Sequence, residues 1–128
     1  MIEIAKLDDL KKALNKLKEG FPSVKTELDR DGVIQRFEFT FELTWKVIQE
    51  YARFKGLESA SPRDTFRVGA ELGIIENPEV WFDFLKDRNE STHLYSESQA
   101  ELIYSHIPSF IKEVEKLVEK ISGEFVKS

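Results

Sequence analysis

Cysteine is absent from the 128 residues, which excludes a disulfide framework and thiolate chemistry. No apolar run approaches the ~20 residues that a membrane-spanning helix needs. The first six residues, MIEIAK, lack the basic and then apolar layout of a signal peptide. There is also no glycine-rich phosphate-binding loop. From these absences we expect a cytoplasmic protein with no membrane partner.

The chain also lacks an excess of positive charge. Nineteen Lys and Arg face twenty-four Asp and Glu, giving a net charge of -5, whereas broad binding to nucleic acid relies on dense cationic contacts with phosphate. A small local cationic pocket remains compatible with this balance. The two histidines, His93 and His106, are thirteen positions apart, so a zinc site has little support. We predict neither a metal nor a cofactor.

The length suits one domain, residues 1–128, and its periodicity predicts an all-α, up-and-down antiparallel bundle of four to five helices. Leucines at positions 7, 10, 14 and 17 predict a first helix to Glu19, with Gly20 as a left-handed terminator. The other predicted helices are residues 27–55 ended by Gly56, residues 62–72 ended by Gly73, one opened by Asn77-Pro78, and one capped by Ser96 and containing Pro108.

The second helix carries the one ambiguous pattern. Phe37, Phe39, Phe41, Leu43 and Trp45 alternate with polar residues as in a strand. Two helical stripes run through the same stretch, and no breaker interrupts residues 33–55, a run longer than a typical strand. We therefore predict a helix that packs on two sides, as a central bundle member or a dimer-facing helix does.

The stretch Arg88-Asn89-Glu90-Ser91-Thr92-His93-Leu94-Tyr95 gathers the side chains best suited to chemistry. A guanidinium fits phosphate oxygens, an imidazole exchanges protons near neutral pH, and Asn89 can hold either one in place. This is the minimum set for metal-independent RNA cleavage, in which a 2′-hydroxyl attacks the adjacent phosphate. Because such cleavage needs both a base and an acid, a symmetric dimer with two copies of His93 suits it.

Structural interpretations of the same residues stay open on spacing alone. Arg88 and Asn89 could bond the free carbonyls at a helix end, His93 could be a surface residue, and Tyr95 could be a packed ring. His106 is interpreted as structural. Trp45, Lys46 and Glu42 could line a substrate pocket, or they could be a core tryptophan beside solvated charges.

Several blocks resemble one known family. They are residues 31–46 (DGVIQRFEFTFELTWK), Ser61-Pro62-Arg63, Trp81, and Arg88-Asn89 followed by His93-Leu94-Tyr95. Together they resemble the nucleotidyltransferase substrate-binding protein family, which belongs to the HEPN superfamily of helical bundles. The resemblance covers nearly the whole chain.

The resemblance implies a fold similar to the C-terminal domain of kanamycin nucleotidyltransferase, a homodimer, and a minimal nucleotidyltransferase as partner. Many HEPN proteins carry Arg, four to six residues and His as a ribonuclease motif, which Arg88 and His93 match and Asn89 extends. In a toxin–antitoxin subset the tyrosine two residues after the histidine accepts AMP, and Tyr95 occupies that position.

Two functions follow as expectations. In the first, the chain is a toxin-type, metal-independent endoribonuclease with Arg88, Asn89 and His93 as its catalytic residues, neutralised by a nucleotidyltransferase through Tyr95. In the alternative, it is a non-catalytic subunit of a two-component nucleotidyltransferase that binds a substrate or nucleotide near Glu42, Trp45 and Lys46.

Overall fold

A computed structural model describes residues 4–93 and 96–126, with side chains to residue 124. Its elements are α1 (Leu7–Gly20), a short 3-10 helix (Phe21–Ser23), α2 (Glu27–Phe54), α3 (Pro62–Glu71), α4 (Pro78–Ser91) and α5 (Glu97–Val126). The described residues contain no strand, which confirms the predicted all-α bundle. None of the helices in these ranges is long and apolar enough to cross a bilayer.

The helix boundaries follow from local capping chemistry. Thr26 opens α2 with a reciprocal capping box to Asp29, and Ser61 Oγ accepts from the Asp64 amide at 3.2 Å to open α3. Asn77 caps α4 ahead of Pro78, as predicted. Positive φ angles of 88° at Gly56 and 79° at Gly73 confirm glycines as terminators after α2 and α3.

Gly20 was wrongly predicted as a left-handed terminator. Its φ is -73°, and the chain passes directly from α1 into the 3-10 helix. A Cβ at this position would lie 2.6 Å from Nη1 of Arg36, whose guanidinium donates to the Lys16 carbonyl at 2.7 Å. The arginine therefore bonds a carbonyl in the last turns of α1, and the glycine leaves room for it.

Helix α2 is the central member of the bundle, packing against α1, α3, α4 and α5. Phe37 and Phe41 are buried while Phe39 between them is 62% exposed, so the helical interpretation is confirmed over the strand. Phe110 of α5 lies at the middle of the aromatic core, with its ring centroid within 4.8–6.5 Å of four other rings, those of Phe37, Phe41, Trp81 and Phe84. This core fixes α4 against α2 and α5, and so fixes the end of α4.

Candidate functional site

The last turn of α4 carries Arg88 and Asn89, as predicted. Hydroxyls that follow them lie against their backbone carbonyls: Ser91 Oγ shares its one proton between the Arg88 carbonyl and Glu38 Oε2, each at 2.9 Å, and Thr92 Oγ1 donates to the Asn89 carbonyl at 3.0 Å. The Arg88 and Asn89 side chains are therefore not needed to cap the helix end, which removes one structural interpretation of these two residues.

Arg88 is turned toward α2. Its Nη1 lies 3.1 Å from Glu42 Oε1, and its guanidinium lies over the Phe41 ring, 5.3 Å from the centroid. The side chain is 24% exposed. Its Nε is buried and has no hydrogen-bond partner within the described part of the chain. The arginine is thus held on one side by a carboxylate and a ring, with its donors incompletely used.

Glu42 is itself held by Trp45, whose indole Nε1 donates to Glu42 Oε2 at 3.2 Å. The structure therefore brings Trp45 and Glu42, two of the predicted substrate-binding residues, into one cluster with Arg88. Lys46 is half-buried and makes no hydrogen bond or ion pair with any residue in the described ranges. The cluster combines an aromatic ring, a carboxylate and a guanidinium at the surface between α2 and α4.

A second carboxylate of α2 borders the same surface. Glu38 Oε2 accepts from Ser91 Oγ at 2.9 Å. Burial raises the pKa of Glu38, while the Ser91 hydrogen bond and the positive charge of Arg88 oppose that rise. Glu38 and Glu42 thus place two carboxyl groups beside the guanidinium that was predicted to bind phosphate.

His93 lies just beyond α4 and is exposed. Its backbone amide donates to the Glu90 carbonyl at 3.2 Å. The imidazole borders a cavity of about 320 Å³ between the first turns of α2 and α5, which is also lined by Arg30, Ser96 and Glu97. Within the described residues no hydrogen bond or ion pair joins the side chains of Arg88, Asn89 and His93. Tyr95 lies outside the described residues.

A buried arginine network beside His93 was not predicted. Arg30 is 5% exposed, and its Nη1 donates to carboxylate oxygens of both Glu97 and Glu101, the latter at 2.7 Å. Its Nη2 donates to Glu97 Oε2 and to Asp31, each at 3.2 Å. One feature of the sequence could have indicated this network. Arg30 lies four positions before Ile34, in line with the apolar stripe of α2, where a charged residue needs a buried partner.

His106, interpreted as structural, has a charged partner. Its Nδ1 lies 2.7 Å from Asp87 Oδ2, and burial raises the pKa of Asp87 while the histidine opposes that rise. The pair borders a cavity of about 340 Å³ between α4 and α5, with Lys86, Glu90 and Ser109. The sequence feature that could have predicted this pair is Asp87 itself, because it is a carboxylate three residues after the buried Phe84. Among the described residues, no three His, Asp or Glu side chains are grouped to hold a metal ion.

Comparison with known proteins agrees with this fold. Residues 5–123 match the family model described as nucleotidyltransferase substrate binding protein like. The chain belongs to this family. A relative in Haemophilus influenzae, named probable ribonuclease HepT, is 27% identical over 105 residues, covering 78% of this chain and 72% of that protein.

Two solved structures share the fold. The protein ttk003001694 of Thermus thermophilus is 34% identical and superposes with a TM-score of 0.82, covering 87% of this chain and 97% of that one. HI0074 of Haemophilus influenzae has the fold of a substrate-binding domain of a nucleotidyltransferase. It is 22% identical, with a TM-score of 0.81 over 91% of this chain and 98% of that one. The second likeness bears on the fold alone.

Proposed function

We propose that this chain is a toxin-type, metal-independent endoribonuclease that acts as a homodimer. The observation that carries the proposal is the grouping of Arg88, Asn89 and His93 at one helix end, in a chain related to a protein named probable ribonuclease HepT. The exposure of His93 and the 24% exposure of the Arg88 side chain support it, because both groups must reach an RNA backbone.

The chemistry assigned to these residues is an internal transfer. The 2′-oxygen of a ribose bonds to the adjacent phosphorus as its proton passes to one imidazole. The bond from phosphorus to the 5′-oxygen breaks as a second imidazole returns a proton to that oxygen. Arg88 binds the non-bridging oxygens and stabilises their charge in the transition state, while Asn89 positions the phosphate. Two copies of His93 across a twofold axis supply the base and the acid.

Neutralisation by a partner completes this proposal. A separate minimal nucleotidyltransferase would transfer AMP from ATP to the hydroxyl oxygen of Tyr95, with loss of the phenolic proton and release of pyrophosphate. Because Tyr95 is two residues after His93, the added nucleotide would block access of RNA to the imidazole. The family's association with nucleotidyltransferases supports such a partner.

The test is cleavage of a mixed RNA by the purified chain in excess chelator, with His93→Ala and the matched control His106→Ala. We expect cleavage by wild type and by the His106 variant, and a loss of about 100-fold or more in the His93 variant. Intact mass with a Tyr95→Phe control identifies AMP carried on Tyr95. An unmodified wild-type protein that leaves the RNA intact would overturn the proposal.

One observation favours a second candidate, a substrate-binding subunit of a two-component nucleotidyltransferase. Trp45, Glu42 and Arg88 form a surface cluster that offers a ring and two opposite charges to a small polar ligand. In that function the chain is inert alone, and activity requires the partner, magnesium and a nucleotide. Transfer activity restored by the partner and lost in Trp45→Ala, with no RNA cleavage by the chain alone, is the expected result for this candidate.

A further inference from the structure

The connection that carries His93 is bonded to α2 on both sides. Before it, Ser91 Oγ donates to Glu38 at 2.9 Å. After it, Glu97 and Glu101 in the first turns of α5 accept from Arg30. Arg30 and Glu38 are eight residues apart on α2, about two helical turns or ~12 Å. One helix therefore bonds both to the end of α4 and to the start of α5, the described elements on either side of His93.

The Arg30 end is the stronger of the two. A guanidinium that is 5% exposed donates to three carboxylates, and charge-assisted bonds of this kind are about twice as strong as neutral ones. The hydrogen bond from Arg30 lowers the pKa of Glu97, so this carboxyl stays ionised and bonded at neutral pH. Because both Nη atoms are engaged, Arg30 is not available as a phosphate ligand.

Stability alone does not account for this network. A buried ion cluster is often replaced by apolar residues of similar volume without loss of stability. The Glu97 and Glu101 side chains are 58% and 62% exposed, so they are not there to fill the core. What the network does specify is where the start of α5 lies against α2, four residues after His93. Arg30 and His93 border the same cavity of about 320 Å³.

We propose that Arg30 is a positioning residue for His93. By holding Glu97 and Glu101 it fixes the start of α5, four residues after His93, and with the Ser91–Glu38 bond it keeps His93 at the end of α4 that carries Arg88. The effect of this placement on RNA cleavage rests on the proposed ribonuclease function. The placement of His93 itself does not.

The chemical shift of the imidazole Hε1 proton, recorded by NMR, reports the placement of His93. The chain has two histidines, so His93→Ala and His106→Ala assign both signals. The variants are Arg30→Gln, Arg30→Lys and the double variant Glu97→Gln/Glu101→Gln. The double variant changes exposed side chains only, and it keeps the test available if Arg30→Gln does not fold. Arg53→Gln is the matched control, an exposed arginine of the same helix that lies 3.5 Å from Glu58.

We expect the His93 signal to shift in Arg30→Gln and in the double variant, with the His106 signal unchanged. Arg30→Lys keeps the positive charge but loses the paired N–H donors of the guanidinium. Its His93 signal should therefore shift less than that of Arg30→Gln. Arg53→Gln should move neither signal. A general loss of structure would move both histidines, which separates positioning from destabilisation.

On RNA, release of the connection should lower kcat about ten- to a hundredfold and change KM by less than about twofold, because misplacement by ~1 Å affects the transition state most. An unmoved His93 signal in a folded double variant would overturn the proposal, whatever the activity. A shifted signal in a chain whose wild type cuts no RNA leaves the positioning intact and removes the ribonuclease. A shifted signal with unchanged kcat contradicts the catalytic role assigned to the placement.

Discussion

Arg88 Nη1 lies 3.1 Å from Glu42 Oε1, so the guanidinium expected to bind phosphate already has an anionic partner. Trp45 holds the other oxygen of the same carboxylate at 3.2 Å. A phosphate group that reaches Arg88 must compete with Glu42 for its donors. The guanidinium also lies over the Phe41 ring, 5.3 Å from its centroid, a contact that does not depend on the ion pair.

Replacing Glu42 by glutamine should therefore improve RNA binding. The amide keeps an acceptor for Trp45 and removes the competing charge. Partly exposed ion pairs contribute ~0.2–1 kcal/mol, so we expect KM to fall by up to about fivefold with kcat little changed. Steady-state cleavage by wild type, Glu42→Gln and Glu42→Ala measures this. A rise in KM for Glu42→Gln would instead indicate that the carboxylate contacts the substrate, as the binding-subunit function requires.

Glu38→Gln should stabilise the fold at neutral pH. The pKa of Glu38 is raised by burial, so its stabilising contribution is present below the ordinary glutamate pKa and is lost as pH rises through the raised value. At pH 7 the ionised carboxylate is therefore less favourable than a neutral amide. Solvent screening limits the expected gain to less than about 1 kcal/mol. Urea unfolding at pH 7 and pH 4 measures it, and the gain should shrink at the lower pH.

The matched variant for this prediction is Glu38→Ala. Glutamine retains an acceptor for Ser91 Oγ, whereas alanine removes it and leaves the Ser91 hydroxyl without that partner. We expect the alanine variant to be less stable than the glutamine variant at both pH values. Equal stability of the two would show that the Ser91 bond contributes nothing measurable.

The Asp87–His106 pair should be coupled. Removing His106 leaves a buried carboxylate without this partner, which costs ~1–3 kcal/mol, and the cost should fall as acid protonates Asp87. A double-mutant cycle of Asp87→Asn and His106→Ala by urea unfolding measures the coupling. His93→Ala, at the exposed histidine, should change stability by less than about 0.5 kcal/mol. Additive effects of the two substitutions would contradict the coupling.

Local chemistry made most of the fold predictable. The caps Ser61, Asn77 and Ser96, the prolines at positions 62 and 78 and the glycines at positions 56 and 73 act within a few residues of where they stand. The apolar stripes of α2 predicted its burial on two sides. The prediction of a left-handed conformation at Gly20 was wrong because Arg36, sixteen residues later, sets the environment of this glycine. A local sequence pattern does not include a residue that distant.

The sequence indicated which stretch of the chain holds the candidate site. It did not indicate which distant residues contact that stretch. Arg88 meets Glu42 across 46 positions of the chain, and Arg30 meets Glu97 across 67. No periodicity links such residues, since the packing of α2 against α4 and α5 decides which side chains meet. A charged residue in line with an apolar stripe, as at Arg30 and Asp87, was the available sign that a buried partner existed.

Acid should weaken the ion pair between Arg30 and Glu97. The hydrogen bond from Arg30 lowers the pKa of Glu97, so the stability this group contributes is fully present above the ordinary glutamate pKa of about 4.3 and is lost as pH falls through the lowered value. Wild type should exceed Glu97→Gln/Glu101→Gln in stability at pH 7, and the difference should shrink as the pH falls below the ordinary glutamate pKa. Because Glu38 and Asp87 are the same in both proteins, their opposite pH dependence cancels in the difference.

Urea unfolding at pH 7, 5, 4 and 3 provides the measurement, with the His93 Hε1 signal recorded in the same samples. Glu115→Gln is the control, since it removes an exposed ion pair with Lys18 on another part of α5. If Arg30 positions His93, the His93 signal of wild type should approach that of the double variant over the pH range in which the stability difference is lost. A stability difference that does not shrink between pH 7 and pH 3 would mean that Glu97 and Glu101 stabilise the chain by contacts other than their charge. In that case the ion pairs with Arg30 would not be what holds the start of α5.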